Sequence, residues 1–202
     1  LKSMGFVDKL LVITPLSTVD AVWVRDSQNA TPHLTIGTLL GSKVKRTKVI
    51  VEDRHDILVI NHDGCKVVER PLIDWCKSHE VMTVVDEATA IAKYDTQRSK
   101  TIQHIFGASK RRYVMTATPV VQSLLKAHGL LVAIGNNTDF PRAFTHFKQE
   151  YFVPEGLQRW VPKMSSFGKI QAMMSPAIRL NTPDLIDLPE NVVMHRWPEM
   201  TP

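Results

Sequence analysis

The chain has 202 residues, 44% of them apolar and 22% charged, with a net charge of +5, the profile of one globular domain plus a tail. No apolar run approaches the ~20 residues that span a bilayer, and the opening LKSMGFVDKL lacks the apolar core and small-residue cleavage site of a secretory signal. A basic balance of this size is compatible with a nucleic-acid partner, and a start at Leu1 rather than Met points to a fragment.

The first predicted element is a strand over Lys9–Thr14, stopped by Pro15. Ser17 and Asp20 then have capping-box spacing, and Val19, Val22 and Trp23 follow at helical intervals. A second strand is expected over 33–39, ending near Gly41-Ser42, and the basic stretch from Lys43 to Glu52 reads as a helix. Residues 56–61 form a third strand, and a helix from Gly64 onward should be interrupted at Pro71. The fourth strand, Val81–Val85, runs straight into Asp86-Glu87. A helix over 96–106, stopped by Gly107, leads to a fifth strand over 112–116 and a further helix over about 120–134.

Strands of continuous apolar residues belong in sheets covered on both faces. Their alternation with helices predicts an α/β fold with a mainly parallel sheet, and such folds gather functional residues at the carboxyl ends of the strands. Thr14, Asn61, Asp86, Glu87 and Thr116 all fall at such ends. From Pro154 prolines interrupt the chain every few residues, so a domain is expected over residues 1–153 with an extension over 154–202.

Cys65 and Cys76 lie 11 positions apart, which fits neither a zinc site nor a disulfide framework. They are expected as reduced, buried or half-buried thiols. The eight histidines show no metal-ligand spacing.

Val84-Val85-Asp86-Glu87 has the form of a Walker B strand, a buried apolar run that delivers two carboxylates to its exit. The first can hold Mg²⁺ through water and the second can orient the water that attacks a γ-phosphate. Taken alone the pair also reads as an ordinary acidic turn. Thr116-Ala117-Thr118-Pro119 ends another apolar strand 30 residues after Asp86, where short hydroxyls can bond the acidic pair. At Thr14-Pro15-Leu16-Ser17, free backbone N–H groups and hydroxyls suit a phosphate oxygen, and plain capping by Ser17 is the other reading. The cations Lys43, Lys45, Arg46 and Lys48 read either as phosphate contacts or as a solvated face.

In this order, Thr14-Pro15-Leu16-Ser17 through Trp23, then Asn61-His62-Asp63, then VVDEAT, then MTATPV, the chain resembles motifs Ia, Ib or Ic, II and III of superfamily 2 ATPases. The stretch from Thr116 onward, with Phe144, Phe147, Tyr151 and Phe152, is similar to the Swi/Snf branch, particularly its phage and bacterial members. Pro176-Ala177-Ile178-Arg179, Asp184 and Leu188-Pro189 are similar to that family's strap toward a second lobe. The resemblance implies a RecA-like lobe within a cytoplasmic, ATP- and Mg²⁺-dependent DNA helicase or translocase that contacts the backbone of double-stranded DNA. Asp86 would hold Mg²⁺, Glu87 would activate water, and Thr116 and Thr118 would couple the nucleotide site to DNA. Thr14, Pro15, Ser17 and Asn61 would contact the DNA backbone, and Arg98 would serve local packing or an ion pair.

Departures accompany the resemblance. Motif II reads DEAT, and motif III has Ala117 where many relatives carry glycine. A phosphate-binding loop, Gly-x-x-x-x-Gly-Lys-Ser/Thr, is absent: Gly37 to Lys43 has the wrong spacing, and Gly168-Lys169-Ile170 lacks the first glycine and the hydroxyl. The family places that loop upstream of motif Ia and the remaining motifs in a second lobe, so residues 1–202 by themselves are expected to be inactive. Another superfamily 2 enzyme, a restriction-type translocase or RNA helicase, and a non-catalytic nucleic-acid-binding module are the alternatives.

Overall fold

In the computed structural model, residues 2, 4–93, 95–117, 124–135, 140–141, 143–156 and 159–174 are described. Five strands form one parallel sheet: β1 (Lys9–Thr14), β2 (Ile36–Thr38), β3 (Ile57–Asn61), β4 (Val81–Val85) and β5 (Arg111–Val114), in the order β2-β3-β1-β4-β5. The apolar runs become strands because both faces are covered. Leu11, Ile13, Leu58 and Ile60 pack on one side beneath α2 (Lys43–Glu52), α3 (Glu69–Ser78), α4 (Gln97–Ala108) and α5 (Ala127–Ile134). Val12, Ile57 and Val59 face the other way, against Val19, Trp23 and Leu34.

The two ends of the sheet differ from its middle. In β1 the last four residues are buried, whereas β5 is half-exposed and Tyr113 stands out to solvent. That pattern marks β5 as an edge among the described residues, paired with β4 alone.

Several local expectations change. No capping box forms at Ser17, which is exposed; Thr18 is the N-cap of a π turn over Val19–Val24 that leads into α1 (Arg25–Ala30). The strand expected over 33–39 contracts to Ile36–Thr38. Pro71 does not interrupt its helix, because it falls in the first turn of α3, where no intrahelical N–H is required. The break comes earlier, at Val68, after a 3₁₀ turn over His62–Val67. Gly107 lies inside α4, which ends at Ala108 and is capped at its start by the Thr96 hydroxyl, 3.2 Å from the Ser99 N–H. The expected helix over 120–134 is seen as a 3₁₀ turn at Leu124–Lys126 followed by α5, with residues 118–123 outside the described set.

Beyond the sheet, α6 (Phe144–Tyr151), the antiparallel pair β6 (Phe152–Glu155) and β7 (Arg159–Pro162), and α7 (Ser166–Met173) gather around Phe147. Its ring lies 4.9 Å from His128, 5.2 Å from Tyr151 and 5.6 Å from Phe152, separations at which tilted aromatic pairs attract. Leu124, Ala127 and Leu131 belong to the same cluster as Ile170. Residue 153 lies within β6, and the described cluster extends to Ile170 of α7. Among the described residues no helix is long and apolar enough to cross a membrane.

Candidate active site

The acidic pair sits where β4 leaves the sheet. Asp86 N–H still bonds the Ile13 carbonyl of β1 (2.8 Å), so its backbone is fixed by the neighbouring strand. Glu87 then turns sharply, with φ +48° and ψ +52°. A non-glycine residue in this left-handed region is uncommon, and such strain collects at functional sites. The turn leaves the Glu87 side chain exposed and sends the chain into a 3₁₀ turn, Ala88–Ile91, whose first and last residues are buried.

That turn is interleaved with the exit of β5. Met115 N–H donates to the Val85 carbonyl (2.8 Å), and Ala88 N–H donates back to the Met115 carbonyl (2.9 Å). With Val85 opposite Val114 in the ladder, Glu87 and Thr116 each stand two residues past a paired position. The structure thus brings together the acidic pair and the first threonine of the Thr-x-Thr-Pro turn. Thr116 is half-buried; Thr118 and Pro119 lie outside the described residues.

Asp86 is held from three sides. Its Oδ2 accepts from the Thr14 hydroxyl and from the Trp23 indole N–H, both at 3.0 Å, and its Oδ1 accepts the Glu87 N–H at 2.9 Å. The Asp86 carbonyl accepts from His62 Nε2 at 2.9 Å. Burial pushes the His62 imidazole below its ordinary range, against the bond to the Asp86 carbonyl, which favours the charged ring. Thr14, expected to touch a nucleic acid, is instead fully buried, and its hydroxyl also lies 2.6 Å from that of Thr18. What faces solvent at this corner is Leu16, 64% exposed, together with Ser17; Pro15 is half-buried between them and Thr14.

Asn61, at the end of β3, sits beside Thr14 in the ladder. Its Oδ1 accepts from the Arg46 guanidinium (3.1 Å), which also bonds the carbonyls of Leu39 (2.6 Å) and Gly41 (2.9 Å). Arg46 is thereby turned inward, while Lys43, Lys45 and Lys48 of the same helix stay exposed. Arg98 makes the anticipated ion pair, a fork on Asp63 at 2.9–3.1 Å. Trp75 is core packing, with its N–H on Asp53 Oδ1 at 2.8 Å. Trp160 is half-buried with Lys148 over its ring, and Trp197 is outside the described residues.

Sequence reasoning placed Trp23 and His62 within motifs and read Arg46 as a phosphate contact or a solvated cation, but gave none of them its bond to Asp86 or Asn61. One signal was available for Trp23: an indole N–H only donates, so a partly buried one needs an acceptor nearby.

The donor set fits a hard cation. Asp86 has two oxygens with about four lone-pair positions, and its three hydrogen bonds leave room for one more partner. Among the described residues no three His, Cys, Asp or Glu side chains converge. A site with one or two carboxylates, completed by water and phosphate oxygens, is how Mg²⁺ is ordinarily held.

A parallel sheet in this order, with the acidic pair and Thr116 at adjacent strand exits, is a RecA-like lobe. The SNF2-related domain model matches residues 2–197, and the chain belongs to that family. Two solved structures from Sulfolobus solfataricus show the same fold. The SWI2/SNF2 ATPase core in complex with dsDNA is 24% identical with a TM-score of 0.64, covering 87% of this chain and 34% of that one. The SWI2/SNF2 ATPase core domain is 22% identical with a TM-score of 0.66, covering 93% of this chain and 36% of that one. The chain thus spans about a third of the length of these structures. No curated protein sequence matches it.

Proposed function

We propose that the chain is part of an ATP-dependent motor that couples hydrolysis to movement along DNA, as a translocase or helicase. The observation that carries this reading is the pair of backbone bonds that joins Val85 and Ala88 to Met115, on either side of the acidic pair and next to Thr116. The Sulfolobus relative bound to dsDNA supports duplex DNA as the partner.

In this reading Asp86 and Glu87 divide the work. Asp86, fixed by Thr14, Trp23 and its neighbour's N–H, would hold Mg²⁺, which when bound would supply positive charge against the phosphates of ATP. Glu87, exposed on its left-handed turn, orients a water and takes its proton as the oxygen bonds to the γ-phosphorus. The bond from that phosphorus to the β–γ bridging oxygen breaks, and ADP leaves. Thr116 and Thr118 link this site to DNA. The exposed Leu16-Ser17 turn meets the sugar-phosphate backbone through Ser17 and free backbone N–H groups. Pro15 shapes that turn, Asn61 lines the same edge, and Thr14 acts from beneath by holding Asp86. The phosphate-binding loop and the second lobe would complete the nucleotide site, so residues 1–202 by themselves turn over no ATP.

The test is Glu87→Gln in the whole motor. Removing a positioned base lowers turnover about 10²–10⁴-fold while nucleotide binding, measured with a fluorescent ATP analogue, stays within error of wild type. Unchanged ATP turnover in that variant removes Glu87 from its role and the reading with it.

A further inference from the structure

One segment of the chain, residues 14–23, grips the Asp86 carboxylate at both of its ends. Thr14 and Trp23 each reach Oδ2 at 3.0 Å, from sequence separations of 72 and 63 residues. Between them the chain makes the exposed Leu16-Ser17 turn and comes back through Thr18, 2.6 Å from Thr14. Trp23 arrives by an unusual path, because Val19–Val24 is wound as a π turn. Such turns are rare and occur mostly at functional sites, where the extra residue re-aims a side chain. Its ring packs on the cluster of Val12, Val19, Ile57 and Val59, so only the N–H edge is spent on Asp86.

We propose that Trp23 is a positioning residue for the metal-binding carboxylate: its indole N–H fixes Asp86 Oδ2, so that Oδ1 is the oxygen offered to a hydrated Mg²⁺. The inference rests on the role given to Asp86 above. Chemistry supports the assignment. An indole N–H donates without carrying charge and does not ionise, so it orients the carboxylate without neutralising it as Lys or Arg would. Oδ2 already has two donors, whereas Oδ1 has one, the Glu87 N–H. Groups that orient a metal ligand from behind are worth about 10–100-fold in metal affinity. The same anchoring ties the exposed Leu16-Ser17 turn to Asp86.

The experiment is a Mg²⁺ titration of the ¹⁵N-labelled chain, wild type and Trp23→Phe, followed by NMR. Phenylalanine keeps a ring on the apolar cluster and removes the donor. The Glu87 backbone N–H, present in both proteins and bonded to Asp86 Oδ1, reports the metal. In the wild type, Glu87 and the Trp23 indole move with one midpoint, while the Trp75 indole, bonded to Asp53 on another part of the fold, stays still. In Trp23→Phe the Mg²⁺ midpoint read at Glu87 rises about tenfold or more, with the melting temperature and the Trp75 indole resonance retained. Thr14→Val removes the other donor to Oδ2 and shifts the midpoint the same way, which carries the test should Trp23→Phe fail to fold. A folded Trp23→Phe with an unchanged midpoint overturns the positioning role and leaves the proposed function standing. Absence of any Mg²⁺ response at Glu87 in the wild type overturns the role of Asp86, and this inference with it.

Discussion

Gly129 is the position where a single methyl group tests the packing behind the site. It lies in α5, buried, against the turn that follows Glu87. A Cβ placed there would stand 2.3 Å from the Ala92 carbonyl oxygen, 2.6 Å from that of Ile91 and 2.7 Å from the Ala92 carbonyl carbon. All three are backbone atoms, so no side chain can swing away, and ordinary contact begins near 3.4 Å. Relief requires that α5 or the Ala88–Ile91 turn retreat by about 1 Å, in a core that yields little. Overpacking of this kind costs about 3 kcal/mol at the upper end of the usual range, against about 1 kcal/mol gained from alanine's helix propensity. The net loss is then about 2 kcal/mol, or about 4–8 °C in melting temperature for a chain of this size. Gly168→Ala supplies the opposite sign: α7 is helical there with nothing within 4 Å of the new methyl, so stability should rise by about 0.5–1 kcal/mol. Thermal denaturation followed by circular dichroism reads both variants. A Gly129→Ala protein that melts at or above the wild type would refute the claim that α5 rests directly on the backbone of the turn carrying Glu87.

Three further outcomes are expected. The Lys2 ammonium 2.6 Å from Asp56, with bonds from the Thr35 N–H and hydroxyl, holds the Asp56 carboxyl well below the usual carboxylate range despite partial burial. A depressed carboxyl stabilises the fold above its unfolded pKa of about 4 and loses that contribution as pH falls further. Urea midpoints should therefore drop on acidification below about pH 4, and Asp56→Asn should flatten that slope; an identical slope in the variant would exclude Asp56 as its source. Cys65 and Cys76 are both buried, and burial pushes both thiols up, that of Cys76 to about 11. A chromogenic disulfide reagent at neutral pH should label neither cysteine in the native protein and both after denaturation; fast native labelling would contradict the packing. Thr96→Ala, which removes the N-cap of α4, should cost about 1 kcal/mol, read as a shift in urea midpoint with unchanged slope.

The parts of the fold legible in the sequence are those decided locally. Lys9–Thr14 and Val81–Val85 are found where they were expected because a strand buried on both faces is written as an unbroken apolar run with a sharp end. Lys43–Glu52 is likewise recovered, closed at its start by Ser42, whose hydroxyl accepts from the Lys45 N–H. The misses are positions where a residue's usual habit was overruled by its place in an element. Pro71 is harmless in a first helical turn, and Gly107 is carried in α4 with nothing crowding it. Val19, Val22 and Trp23 have the spacing of an α-helix, and the π winding there accompanies a bond from Trp23 to a residue 63 positions away. No local pattern contains that information.

Strand order is what turns a list of motifs into a site. The motifs at Thr14, Asn61, Asp86 and Thr116 occur in that order along the chain, but the sheet sets their strands in the order β3-β1-β4-β5. The first strand lies between the third and the fourth, so Thr14 meets Asn61 across one ladder and Asp86 across the other. If β1 lay outside β3, the Thr14 hydroxyl and the Trp23 indole would be separated from Asp86 by a whole strand, and neither 3.0 Å bond could form. The acidic pair would still lie beside β5, but without the two donors that hold Asp86 Oδ2. The connection from the exposed Leu16-Ser17 turn to Asp86 could not survive such a rearrangement.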